Sequence, residues 1–311
     1  MKTILVSGCC GFIGQNLVPK LVNDYNIIGI DNFFSSNKLI LQKLSSYKNF
    51  KFIEGDISIK IDIKEKIDFI YNLACPASPP SYKSNPIFTL KTNFNGTLNL
   101  LELAKLNNSV FIQASTSEVY GDPEVHPQVE SYRGNVNTIG VRSCYDEGKR
   151  IAETLCYEYR KIYNIQTRII RIFNTYGPGM DPQDGRVISN FMVNSITKKP
   201  LHIYGDGSQT RSFCYIDDLI IGLIKSLGID FSYPVNLGND NEISLKSLSL
   251  KFIEKFGANK VQFNKLTEDD PKFRQPDISR ALKLLNWKPT TNLDNGLEKT
   301  YSYFKSKLNN E

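Results

Sequence analysis

The stretch Thr3-Ile4-Leu5-Val6-Ser7-Gly8-Cys9-Cys10-Gly11-Phe12-Ile13-Gly14 decides the fold. Residues 3–7 form an apolar run too short for a helix and read as a strand. Phe12, Ile13, Leu17, Leu21 and Val22 then share one helical face, so a helix over Phe12–Asn23 follows at once. Between strand and helix lies the pattern G-x-x-G-x-x-G. Glycines there allow a tight turn and let backbone N–H groups approach a pyrophosphate, while the helix N-terminus favours its negative charge. An ordinary strand-to-helix turn is the competing reading, and the flanking strand and helix weigh against it. The expected phosphate cradle is Gly8, Gly11, Phe12, Ile13 and Gly14.

Outward from this turn the alternation continues. Ile27–Ile30, Phe50–Glu54, Phe69–Leu73, Val110–Ala114 and Gln166–Ile172 read as strands, and Ile87–Leu106 and Tyr145–Tyr163 as long helices. Near-continuously apolar strands separated by helices predict an α/β fold, a Rossmann-type doubly wound parallel sheet covered on both faces. After Asn174 turn signals thicken at residues 176–179, 181–185 and 205–207. The expectation is a dinucleotide-binding domain over 1–174, with later segments returning to it. Residues 175–311 form mainly a smaller, interleaved substrate-binding lobe, with an amphipathic helix over Leu297–Leu308.

Asp31 ends the second strand, 17 residues beyond Gly14. A carboxylate there accepts hydrogen bonds from ribose hydroxyls and repels a 2′-phosphate, so the expected cofactor is NAD rather than NADP. Asp56 and Ile57, after the third strand, are expected against the adenine.

Composition narrows the partners. The net charge of +6 comes from scattered lysines, unlike the concentrated stripe of a nucleic-acid-binding protein. A mildly basic surface suits an anionic small substrate. Six cysteines without a C-x-x-C pair, and two histidines, indicate neither a zinc site nor a disulfide framework. The sequence shows no signal peptide and no membrane-length apolar run, so the expected location is cytoplasmic.

The chemistry-bearing residues lie in two places. Tyr145 and Lys149 stand at i, i+4 on a predicted helix and face the same way. An ammonium near a phenol lowers its pKa, so that the phenolate can take a hydroxyl proton while hydride leaves the carbon. Such pairs also arise by chance on surface helices. Ser115-Thr116-Ser117-Glu118 follows the fifth strand, where a parallel sheet opens its ligand crevice. Thr116 could bind a reacting oxygen there, and Glu118 could donate or accept a proton.

These residues resemble those of the extended short-chain dehydrogenase/reductases, and more narrowly the UDP-glucuronate decarboxylases, over essentially the whole chain. The resemblance rests on the glycine loop, Asp31-Asn32-Phe33-Phe34, Pro76-Ala77-Ser78-Pro79-Pro80, residues 115–123 (STSEVYGDP) and residues 142–150 (RSCYDEGKR). Residues 171–178 (RIFNTYGP), 184–187 (DGRV), 207–211 (GSQTR) and 274–278 (RQPDI) carry it further. It implies Tyr145 as the base for C4 oxidation, with Lys149, Thr116 and Glu118 beside it. It adds Asn32, Ser35, Leu73 and Ala74 to the cofactor site. It also implies that Tyr82 lies near the glucuronate carboxylate, and that Asn174, Arg186, Tyr204, Gln209, Arg211 and Arg274 hold the sugar nucleotide. In relatives the two long helices pair across a homodimer. Two departures stand out: Ser35-Ser36-Asn37-Lys38 where the family carries Thr-Gly-Arg-Lys, and Gly179 where Arg commonly precedes Met180.

The reaction so implied converts UDP-glucuronate to UDP-xylose by C4 oxidation, loss of CO2 from the β-keto acid and re-reduction. A 4-epimerase, a 4,6-dehydratase, a decarboxylase that releases the 4-keto pentose, and a catalytically dead NAD-binding scaffold remain the alternatives.

Overall fold

The computed structural model describes residues 1–266 and 270–309. Seven parallel strands form the main sheet. In chain order these are β1 (Thr3–Ser7), β2 (Asn26–Asp31), β3 (Phe50–Glu54), β4 (Phe69–Asn72), β5 (Val110–Thr116), β6 (Thr167–Ile172) and a late strand, Val235–Leu237. Their spatial order is β3-β2-β1-β4-β5-β6, with Val235–Leu237 added beyond β6. The order reverses between β1 and β4, which opens the crevice at their carboxyl ends.

Alternation of side chains between two buried faces explains the apolar run of the central strands. Ile4 and Val6 of β1 enter one core, while Leu5 enters the other. Tyr71, Ile112 and Ile170 side with Ile4; Ile70, Phe111 and Ile169 side with Leu5. Each such fully buried aliphatic side chain contributes on the order of 1.5–3 kcal/mol. The Leu5 face is covered by helices Thr97–Asn107 and Ser143–Tyr163, through Leu100, Leu101, Ala104 and Cys156. The Ile4 face is covered by helices Phe12–Leu21 and Ile216–Lys225, through Leu17, Leu21, Leu219 and Leu223.

That second core runs without a break into the C-terminal lobe, where Phe191, Met192, Leu248, Phe252, Leu297 and Phe304 extend it. The lobe is built on helices Val187–Ile196, Leu245–Phe256, Ser279–Leu285 and Leu293–Asn309. Short strand pairs, Leu201–Tyr204 with Val261–Asn264 and Thr210–Ser212 with Glu242–Ser244, edge the crevice.

Several boundaries differ from the sequence reading, most by one or two residues. The first helix stops at Leu21 rather than Asn23, and the last begins at Leu293, four residues before the expected Leu297. Ser115 and Thr116 are the last residues of β5 rather than residues after it, because they pair in register with Arg171 and Ile172 of β6. The long helix expected over Ile87–Leu106 consists of Pro86–Lys91, a π turn at Thr92–Gly96 and Thr97–Asn107. Asn93 of that turn packs against Gly148 of helix Ser143–Tyr163, where a Cβ would lie 2.8 Å from the Asn93 amide nitrogen. The wider turn seats Asn93 against the neighbouring helix, a use typical of π turns near functional sites. Apolar spacing does not reveal it.

Candidate active site

The glycine turn closes on backbone contacts that leave no space for side chains. Gly8 has φ +69°, and a Cβ there would lie 2.9 Å from the backbone of Ala74. A Cβ on Gly14 would come 2.4 Å from the Gly8 carbonyl oxygen. Gly8 N–H donates to the Ile30 carbonyl, which ties the turn to β2. The result is bare backbone at the N-terminus of helix Phe12–Leu21, the cradle that a pyrophosphate requires.

Asp31 stands at the end of β2. Its carboxylate accepts from Cys10 N–H (2.9 Å), Phe33 N–H (2.9 Å) and the Ser36 hydroxyl (2.8 Å). A small cavity beside it is lined by Gly8, Gly11, Asp31, Asn32, Ser35, Asp56, Ile57, Leu73 and Ala74. Phe12, Ile13 and Gly14 line a second, larger cleft of about 790 Å3. Every residue expected at the cofactor therefore lies on one of two adjoining hollows.

The larger cleft also gathers Thr116, Glu118, Tyr145, Lys149 and Tyr82. Lys149 Nζ donates to the Ala114 carbonyl at 2.8 Å and lies 5.9 Å from the centre of the Tyr145 ring. The Tyr145 ring stacks on Tyr82, with centroids 5.2 Å apart. Burial pushes the Tyr145 phenol above its ordinary value, and Cys75 adds to this while the Thr116 side chain opposes it. Desolvation is thus the largest influence on this phenol, where the sequence led to an expected lowering by Lys149. The Tyr82 hydroxyl is buried without a hydrogen-bond partner among the described residues, and burial raises its pKa as well.

Glu118 is ion-paired with Arg142 and Arg274. Burial alone would raise its carboxyl, but Arg142, Arg274 and Arg211 outweigh burial and hold it at about 2. Arg142 lies 2.5 Å from its carboxylate and Arg274 3.3 Å. The sequence reading gave Arg142 no role. Its signal was its position three residues before Tyr145, which sets it at the head of the same helix.

Asn174, Arg186, Tyr204, Gln209 and Arg211 also line the cleft. Arg186 is held by both oxygens of Asp184, each at 2.6 Å, and Arg211 pairs with Asp270 at 3.0 Å. Arg274 lines neither hollow. It is fully buried behind Glu118, donating to the Ser117 and Gly121 carbonyls.

A doubly wound sheet with a glycine turn, and a tyrosine–lysine pair facing a strand-end threonine across a two-lobed cleft, define a sugar-nucleotide-modifying short-chain dehydrogenase/reductase. A family profile described as GDP-mannose 4,6 dehydratase matches residues 5–300. UDP-glucuronic acid decarboxylase 1 of Xenopus tropicalis is 46% identical over 312 residues, covering 100% of this chain and 74% of the relative. UDP-glucuronic acid decarboxylase 1 of Arabidopsis thaliana is 49% identical over 310 residues, covering 99% and 71%. Among solved structures, UDP-glucuronic acid 4-epimerase from Bacillus cereus, in complex with UDP-glucuronic acid and NAD, is 32% identical with a TM-score of 0.87, covering 98% of this chain and 99% of the epimerase. The chain belongs to the UDP-glucuronic acid decarboxylase family of short-chain dehydrogenase/reductases.

Proposed function

We propose that this protein is an NAD-dependent UDP-glucuronate decarboxylase that yields UDP-xylose. The observation that carries the reading is the convergence of Tyr145, Lys149 and Thr116 in the cleft that also holds the glycine turn. NAD, when bound, supplies a reversible hydride acceptor, and the bare cradle of Gly8 and Gly14 with Asp31 fits its pyrophosphate and ribose. Gly11, Phe12, Ile13, Asn32, Ser35, Asp56, Ile57, Leu73 and Ala74 complete that site.

Tyr145 takes the C4 hydroxyl proton, and Lys149 holds the ribose and supports the phenolate. Oxidation makes the C5 carboxylate β to a ketone. Loss of CO2 leaves an enolate whose oxygen Thr116 and Tyr145 stabilise by hydrogen bonds. C5 is then protonated and C4 reduced, with Tyr145 returning its proton. Glu118 contributes fixed negative charge beside the ring. Tyr82, with its unpartnered hydroxyl, faces the carboxylate, and Asn174, Arg186, Tyr204, Gln209 and Arg211 hold the nucleotide and diphosphate, Arg by planar paired hydrogen bonds. Arg274 acts from behind, through Glu118.

The protein works as a homodimer in this reading. Ile87, Leu90, Phe94 and Ile151 are exposed apolar residues on the helices that flank the cleft. No helix among the described residues is long and apolar enough to cross a membrane. The six free cysteines suit a cytoplasmic, reducing location.

Incubation with UDP-glucuronate and NAD+, followed by mass analysis of the nucleotide sugar, tests the reading. A product lighter by CO2 with no net NADH is expected. An isomer of unchanged mass would establish an epimerase instead, and stoichiometric NADH a keto-pentose-releasing enzyme.

A further inference from the structure

Cys9 and Cys10 sit side by side in the glycine turn, with their Sγ atoms 3.8 Å apart. A carboxylate oxygen of Asp31 lies within 4.8 Å of both. Two thiolates held at about 2.3 Å by a tetrahedral metal stand about 3.8 Å apart, so the sulfurs already have the spacing of a chelate. Their placement is built into the fold. Cys9 Sγ lies against β2 where Gly29 offers no side chain, since a Cβ there would come 2.7 Å from the sulfur. Asp31 has three protein donors on its two oxygens, and a carboxylate has about four acceptor positions. One position therefore remains. Motif spacing does not find this group, because the cysteines are adjacent and the third donor lies 21 residues further on.

We propose that Cys9, Cys10 and Asp31 form a binding site for a thiophilic divalent cation of the zinc or cadmium kind. Binding replaces two S–H bonds with two sulfur–metal bonds, takes Asp31 as third ligand and releases two protons to solvent, with no change of oxidation state. Water is the fourth ligand in this proposal, and Cys10 lies on the wall of the large cleft. Asp31 and the turn then serve either metal or dinucleotide. This mutual exclusion rests on the cofactor reading above, whereas the metal site itself does not.

Cd2+ alone, titrated into the full chain freed of NAD, tests the site through sulfur-to-cadmium charge-transfer absorption. One equivalent is expected to bind. The signal should vanish in Cys9→Ser/Cys10→Ser and persist in Cys75→Ser/Cys144→Ser. A single Cys10→Ala variant should weaken Cd2+ at least tenfold, which keeps the test decisive if the double variant fails to fold. Absorption that survives in the Cys9/Cys10 variants, or disappears with Cys75 and Cys144, overturns the proposal. Saturating NAD should weaken Cd2+ binding at least tenfold. Equal Cd2+ affinity with and without NAD overturns the exclusion, while turnover of UDP-glucuronate is scored separately.

Discussion

Replacing Glu118 with Gln keeps the side chain's shape and removes the charge faced by Arg142 at 2.5 Å and Arg274 at 3.3 Å. Burial alone would raise this carboxyl, yet the three guanidiniums bring it from 4.5 to about 2. At 1.36 kcal/mol per unit, the ionised form contributes on the order of 3 kcal/mol to folding. The folded value is depressed, so the contribution is complete above about pH 5 and is lost as pH falls toward 2. Denaturant unfolding of wild type and Glu118→Gln at pH 7 and at pH 3 measures it. The gap between them should be about 3 kcal/mol at pH 7 and less than half of that at pH 3. Other acidic groups titrate in both proteins and cancel. A gap that stays constant between the two pH values would refute the assignment of Glu118 as a permanently charged residue.

Three further substitutions bear on the site. Tyr145→Phe should lower turnover by about 10^2–10^4 while NAD affinity, followed by fluorescence titration, changes only a few-fold; undiminished turnover sinks the base assignment. Asp31→Ala should weaken NAD binding at least tenfold and narrow the preference over NADP, and an unchanged preference would count against the ribose role. Tyr82→Phe removes a buried hydroxyl that has no partner among the described residues. Unfolding stability should therefore rise by about 1 kcal/mol while KM for UDP-glucuronate rises, a combination that a purely structural residue would not produce.

The sheet was legible because its strands are short runs bounded by turn signals, so β1 and β3 fall on the residues the sequence predicts. The π turn at Thr92–Gly96 was not, since one extra residue per turn leaves the i, i+3, i+4 apolar pattern readable as a plain helix. At the site, Tyr145, Lys149 and Thr116 were legible from strand ends and helix spacing. Charge organisation was harder to see. Glu118, Arg142, Arg211, Asp270 and Arg274 meet from segments far apart in the chain, and only their assembly shows that Glu118 is locked as an anion. The same assembly separates Arg274, which serves Glu118 from behind, from Arg186 and Arg211, which line the cleft. Desolvation of Tyr145 likewise depends on Tyr82, 63 positions earlier in the chain, which i, i+4 reasoning cannot supply.

Val235–Leu237 pairs with β6, yet about 60 residues separate them in the chain. A nascent polypeptide therefore exposes the open flank of β6, with Ile170 and Ile172, through the time needed to synthesise the first part of the second lobe. Such a flank offers unpaired N–H and C=O groups to any other chain. Fragments cut between residues 173 and 234 should accordingly associate or be degraded, and the cap arrives only once translation has passed Leu237.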